Sequence, residues 1–263
     1  MDQKKLKELT LLALEAAFVA GKKILDIYDR TITVDYKTDG SPLTEADMAS
    51  HEIIINALQS SDLPVLSEEG KDIPFDERRN WKFYWLVDPL DGTKEFIKRN
   101  GEFTVNIALM ESHHPCAGII FQPVKGVAYA GIEGDGLYKF FVNEKIVLDN
   151  KHKLKINTKA EESKIRVIAS RTHKSIETDS FINNLRSSKK NIELLNAGSS
   201  LKFCLLAEGV ADIYPRFAPT MEWDTAAGHA LLKSVGKNIY LHPGGTEMTY
   251  NNPKLINDWF IAR

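Results

Sequence analysis

The chain has 263 residues, of which 43% are hydrophobic and 27% charged, and its formal net charge is −2. That length suits one large domain or two modest ones sharing an interface, with the composition of a globular protein. The near-neutral balance gives no basis for a nucleic-acid polymer or an anionic membrane as a bulk partner. Two distant cysteines, Cys116 and Cys204, form neither a metal-ligand pattern nor a disulfide framework, so a reducing compartment is expected. The charged N-terminus runs into an amphipathic pattern rather than a signal peptide, and no apolar run is long enough to span a bilayer. The cytoplasm is the expected location. Peripheral association with the cytoplasmic face of the inner membrane stays open, as does the choice between monomer and homodimer.

Apolar positions from residue 4 to about 28 (Leu6, Leu9, Ala13, Ala17, Ala20, Ile24, Ile27) recur at helical spacing. Thr31 to Tyr36 alternates and predicts a strand, followed by a Lys37–Pro42 turn cluster. Thr44 opens a second helix, whose apolar positions include Ile53, Ile54, Ala57 and Leu58. Pro64-Val65-Leu66 leads to Ser67-Glu68-Glu69-Gly70, and a polar loop follows to about Asn80. Phe103–Leu109, Cys116–Phe121, Gly126–Ile132 and Gly136–Phe141 are strand-like, and the turn signals His113-His114-Pro115, Pro123-Val124-Lys125 and Glu133-Gly134-Asp135 separate them. This spacing predicts an antiparallel meander, and Lys145–Ile156 a further extended stretch. Beyond residue 158 strands alternate with helices: strand 166–169, helix 175–185, strand 192–195, helix 199–208, strand 211–214 and helix 224–234. The expected organisation is an α+β half over 1–157 and an α/β half over 158–263, packed together without a flexible linker.

The most informative stretch is Phe83 to Thr93, where a buried-strand run ends in Asp88-Pro89-Leu90-Asp91-Gly92-Thr93. Pro89 cannot continue a ladder, and Gly92 permits backbone conformations that other residues resist. Two carboxylates at a strand end repel one another unless a cation lies between them, and free amides in a Gly-Thr turn suit a phosphate. With Glu68 and Glu69 upstream the set is all oxygen, with no Cys/His cluster of the zinc kind, which favours magnesium.

Several of these residues also have ordinary explanations. Adjacent acids such as Glu68 and Glu69 are usually just solvated. Thr44-x-x-Asp47 fits a capping box at a helix start, and Asp224, after Trp223, fits a helix N-terminus. His173 reads as a surface or capping residue, His113-His114 as turn decoration, and Lys202 and Arg216 as exposed bases.

Taken together, the motifs resemble those of the inositol monophosphatase superfamily. Trp85–Thr93 matches its Asp-Pro-[Ile/Leu]-Asp-Gly-Thr signature, Trp223–Gly228 its Trp-Asp-x-Ala-Ala-Gly signature, and Glu68-Glu69 its Glu-Glu element, in the family's order. Three longer blocks, Ser41–Asp47, Asp91–Ala108 and Gly198–Cys204, are similar to the CysQ branch, the bacterial 3'(2'),5'-bisphosphate nucleotidases. The resemblance covers nearly the whole chain, and the 70–80 loop and the stretch after Gly236 carry the least of it. It implies a layered αβαβα sandwich of the inositol monophosphatase and fructose-1,6-bisphosphatase type. It implies two or three magnesium ions bound by Glu68, Asp88, Asp91, Asp224 and the Leu90 carbonyl. Asp47, Thr93 and Glu68 would be catalytic. Glu68, Leu90, Asp91, Gly92, Thr93 and Asp224 would surround the substrate phosphate, and His173, Ser199, Lys202 and Arg216 would be nucleotide contacts. The implied reaction is hydrolysis of 3'-phosphoadenosine 5'-phosphate to AMP and phosphate, sensitive to lithium. Inositol monophosphate and fructose 1,6-bisphosphate are the rival substrates. A catalytically silent regulatory protein is the rival of another class.

Overall fold

The computed structural model describes residues 1–30, 34–37, 40, 42–156, 164–169, 175–187 and 191–263. In chain order the elements are α1 (Gln3–Tyr28), β1 (Val34–Tyr36), β2 (Pro42–Thr44), α2 (Glu45–Leu58), β3 (Val65–Ser67), α3 (Phe75–Arg78), β4 (Phe83–Asp91), α4 (Thr93–Ile97), β5 (Thr104–Glu111), β6 (His114–Gln122), β7 (Val127–Ile132) and β8 (Gly136–Phe141). There follow β9 (Lys164–Ile168), α5 (Ile176–Ser187), β10 (Asn191–Leu195), α6 (Leu201–Ala207), β11 (Tyr214–Arg216), β12 (Thr220–Met221), α7 (Glu222–Lys233), β13 (Ile239–Leu241), β14 (Ile256–Asn257) and β15 (Phe260–Ala262).

A six-stranded sheet in the order β3-β4-β5-β6-β7-β8 organises the first half, parallel only at β3–β4. Period-two alternation sends β4 side chains to opposite faces. Trp85 and Val87 join α1 and α2 in one apolar core. Tyr84 and Leu86 join α6, α7 and the C-terminal strands in another. On the far side of α6 and α7, β15 lies between β11 and β13, while β9 pairs in parallel with β10 and bridges to Ile213. A small third core lies between β9 and α5, from Val167, Ala169 and Ile182. Helices, sheet, helices, sheet and helix therefore alternate in five layers, the arrangement that the resemblance implied. The second core draws on both halves of the chain, so burial of Tyr84 and Leu86 depends on α6 and α7 being in place.

Close packing of α7 on the six-stranded sheet aims its N-terminus at the end of β4. A Cβ at Gly118 would lie 2.6 Å from Ala227 O, and one at Gly131 would lie 2.6 Å from Leu231 Cα. Only glycine at these two strand positions lets the helix backbone approach so closely.

Some local expectations are corrected. Lys145–Ile156 contributes one bridge, Tyr138 to Lys153, rather than a strand. The hairpin between β5 and β6 turns at Ser112, with φ 54°, so His114 and Pro115 lie inside β6. The 70–80 loop contains α3, held by Arg78, which donates to Asn251 Oδ1 at 2.7 Å. The strand expected at 211–214 begins at Tyr214. Thr31–Thr33 of the first expected strand lies outside the described residues.

Candidate active site

The end of β4 carries a one-residue bulge. Asp88 pairs with Asn106 and Asp91 with Thr104, three steps on β4 against two on β5. Residues three apart on a regular strand face opposite sides, and the extra residue resets that alternation. Asp88 and Asp91 can thus share one side, and the charge of Asp91 acts directly on Asp88. Pro89 fits here because it has no N–H to give the ladder, and its carbonyl accepts from Ser50 Oγ at 2.7 Å. Gly92, at φ 93°, starts α4 and leads into Thr93.

Glu68, Asp88 and Asp224 each offer a carboxylate oxygen within 4.8 Å of the other two. Glu68 follows β3, next to β4. Asp224 is the third residue of α7, where its Oδ2 accepts from Met221 N at 2.8 Å. The helix-start explanation of Asp224 and its place in the cluster therefore coexist. Asp88 is 1% exposed. Burial, then the charges of Glu68, Asp91 and Asp224, push its carboxyl well above the usual carboxylate range. Asp224 is displaced the same way, by burial and by Asp91, and Glu68 is raised chiefly by burial. Among the described residues no basic side chain forms an ion pair with Asp88 or Asp224. Lys37 instead bridges Glu68, at 2.9 Å, and Glu69, at 2.6 Å. Burial works against its charge, but those two hydrogen bonds keep the ammonium protonated above the ordinary lysine range. An all-oxygen, mutually repelling set, buried at Asp88 and partly buried at Glu68 and Asp224, fits a hard divalent cation such as magnesium.

Asp47 has two roles at once. Its Oδ2 accepts from Thr44 N at 2.8 Å and from the Thr44 hydroxyl at 2.5 Å, completing the capping box of α2. Its Oδ1 accepts from Thr93 Oγ1 at 3.1 Å. Burial raises its pKa, opposed by the hydrogen bonds from Thr44 and Thr93. Leu90 buries its side chain in the first core, and its N–H donates to Asp88 Oδ1 at 3.0 Å.

A cleft of about 520 Å³ opens beside this corner, lined among others by Asp91, Gly92, Ser199, Lys202, Arg216 and Asp224. Its size is that of a small-molecule site. Lys202 and Arg216, which default to solvent in sequence terms, are half-buried on its wall. Lys202 Nζ donates to Ser199 O at 2.8 Å and lies 5.7 Å from the Tyr214 ring centre. Arg216 Nε is buried with no hydrogen-bond partner among the described residues. Ser199 Oγ is within reach of two carbonyls, Asp91 O at 2.9 Å and Glu102 O at 2.7 Å, and so faces the turn. His173 lies outside the described residues. Thr104, Asn106 and Ser200 border the carboxylates, and no sequence motif marks them as site residues. Asn106 sits within a strand run, and Ser200 inside the Gly198–Cys204 block, which is the one signal that points to it.

Comparison with known proteins identifies the relatives of this chain. The model of the inositol monophosphatase family matches residues 5–258. The chain is 43% identical over 226 residues to the 3'(2'),5'-bisphosphate nucleotidase CysQ of Shigella flexneri, covering 84% of this chain and 85% of that protein. It is 43% identical over 250 residues to CysQ of Buchnera aphidicola subsp. Acyrthosiphon pisum, covering 92% and 89%. The crystal structure of CysQ from Bacteroides thetaiotaomicron superimposes with a TM-score of 0.88 at 45% identity, covering 98% of this chain and 97% of that one. With five layers, two signatures meeting at one carboxylate cluster and a family match over almost its full length, the chain belongs to the inositol monophosphatase family.

Proposed function

We propose that this protein is a magnesium-dependent phosphatase that hydrolyses 3'-phosphoadenosine 5'-phosphate to AMP and phosphate, a 3'(2'),5'-bisphosphate nucleotidase. The observation that carries the substrate assignment is identity of 43% over 84% of the chain to a relative bearing that name. By contrast, the inositol monophosphatase structure from Anabaena shares the fold at only 21% identity and a TM-score of 0.73. Two buried free cysteines, and among the described residues no helix long and apolar enough to cross a membrane, accompany a proposed cytoplasmic site of action.

Glu68, Asp88, Asp91, Asp224 and the Leu90 carbonyl would hold the magnesium, which supplies charge neutralisation for the phosphoryl oxygens and the leaving alkoxide. The chain's own groups do the rest. The Gly92 and Thr93 amides are the donors for the scissile phosphate. The Thr93 hydroxyl, held by Asp47, orients the attacking water in line with the leaving oxygen. Asp47 Oδ1 is the acceptor for its proton, and burial makes that carboxylate more basic than a solvated one. No side chain is phosphorylated in this scheme. On the cleft wall Lys202 and Arg216 supply positive charge for the second phosphate, and the unpartnered Arg216 Nε supports that assignment. His173 is assigned to the nucleotide by resemblance alone, and Ser199 shapes the wall through its grip on the turn.

Product analysis tests which ester is cut. Incubation of 3'-phosphoadenosine 5'-phosphate with enzyme and magnesium should give AMP and phosphate in equal amounts. Adenosine 3'-phosphate as the main product, or no phosphate at all, would remove the proposal.

A further inference from the structure

Asp91 is gripped twice by the Ser199-Ser200 corner that precedes α6. Ser199 Oγ lies within reach of its main-chain carbonyl, at 2.9 Å, and of Glu102 O, at 2.7 Å, while Ser200 approaches its side chain. Ser200 Oγ lies 2.8 Å from Asp91 Oδ2 and 2.8 Å from Asp224 O. Asn106 Nδ2 donates to Ser200 Oγ at 2.9 Å and reaches Asp91 Oδ2 at 3.4 Å. Asn106 Oδ1 in turn accepts from Thr104 Oγ1 at 3.0 Å. Thr104, Asn106 and Ser200 are each at most 1% exposed. Placing three polar side chains in the interior is unfavourable unless each is satisfied, and this chain satisfies them in series. The series ends on Oδ2, whereas Asp91 Oδ1 has no hydrogen-bond partner among the described residues.

We propose that the Thr104–Asn106–Ser200 series is a positioning device for the metal centre. It engages Asp91 Oδ2 and leaves Oδ1 as the single oxygen available to a divalent cation. Ser200 comes from the second half of the chain and Asp91 from the first, so docking of the α6 corner sets the orientation of a ligand on β4. The hydroxyl also reaches the Asp224 carbonyl, which ties the same corner to α7. Partners that hydrogen-bond a ligating carboxylate fix its orientation, and their removal weakens metal binding about 10- to 100-fold in general. None of the three residues needs to touch the substrate, so they are positioning rather than catalytic residues. The inference rests on the magnesium-dependent function proposed above.

The test is calorimetric titration of magnesium into metal-free protein without substrate, using wild type, Ser200→Ala, Asp91→Asn and the double variant. Ser200→Ala removes one oxygen from a buried site, and its melting temperature without metal reports any general damage. The expected result is magnesium affinity weakened about 10-fold or more by Ser200→Ala. In the Asp91→Asn background the same change should add less than about twofold, because coupled residues are not additive. Affinity in Ser200→Ala within about twofold of wild type, or an equal loss in both backgrounds, overturns the positioning role. Wild-type protein that takes up no magnesium removes the proposed function first, and this inference with it.

Discussion

Thr93 Oγ1 donates to Asp47 Oδ1 at 3.1 Å while Asp47 Oδ2 caps α2, so one carboxylate serves the helix with one oxygen and the site with the other. The two roles separate in an Asp47→Asn variant. An amide oxygen can still accept at the helix start, and loss of a cap costs about 1 kcal/mol in any case. An amide is a poor proton acceptor, however. The expected outcome is a kcat about 10²- to 10⁴-fold lower, with a melting temperature close to wild type. A variant that loses stability but keeps its kcat would leave Asp47 with the cap alone.

The clustered acids make stability depend on pH and metal together. Asp88, Asp224 and Glu68 have folded-state pKa values above their ordinary ones, first because of burial. For an acid raised in this way the folded state binds more protons than the unfolded state. The contribution of these three acids to metal-free stability is therefore greatest below their unfolded pKa and is lost as pH rises through the folded pKa. Magnesium bound there would offset the repulsion once the groups ionise. The rise in melting temperature on adding magnesium should be small near pH 5 and larger near pH 8. Equal shifts at both would place the cation elsewhere.

Gly92 illustrates a residue chosen by its surroundings. Its φ is 93°, and a Cβ there would lie 2.1 Å from Ser199 Oγ. Gly92→Ala meets both a backbone cost on the order of 1–3 kcal/mol and a collision with the residue that holds Asp91 O. It should lower kcat and thermal stability together. Near-normal kinetics in Gly92→Ala would mean that the turn can relax without moving the carboxylates.

His229 is fully buried in α7, 2.5 Å from Asn238 Oδ1 and 3.1 Å from the Tyr250 hydroxyl. Burial, against the opposing pull of Asn238 and Glu247, lowers its pKa from 6.5 to about 4. The unfolded chain thus binds a proton between these values that the folded chain does not. Its contribution to stability is complete above pH 6.5 and is lost as pH falls toward 4, by about 3 kcal/mol in all. Chemical denaturation across that range should show a slope of stability with pH that is more positive in wild type than in His229→Gln. An unchanged slope would assign the effect to other groups.

The site was legible where chemistry and spacing coincide. Asp88, Asp91, Glu68 and Asp224 stand out because strand-end acids and a helix-start acid fall in recognisable motifs. The long helix α1 and the meander β5 to β8 follow from plain periodicity. The parts that were not legible depend on distant neighbours. Asn106 looks like one polar residue in an apolar strand, and only the bulge opposite it reveals that it faces Asp91. Ser200 resembles a routine helix start until α7 brings Asp224 O against it. Strand β15 is three residues long, and its central position among β11 and β13 comes from pairings that no local pattern announces. Lys202 and Arg216 become cleft residues only because Tyr214 and the Ser199 corner fold around them.

The substrate assignment is tested most directly by kcat/KM for phosphate release from 3'-phosphoadenosine 5'-phosphate, inositol 1-phosphate and fructose 1,6-bisphosphate, measured side by side in magnesium with and without lithium. The adenosine bisphosphate should be preferred by about 10²-fold or more, as expected when contacts for the second phosphate lack their partner in inositol 1-phosphate and contacts for the nucleoside lack theirs in fructose 1,6-bisphosphate, and lithium should suppress its turnover. A higher kcat/KM on either sugar phosphate would contradict the nucleotidase assignment while leaving the family's metal-dependent chemistry in place.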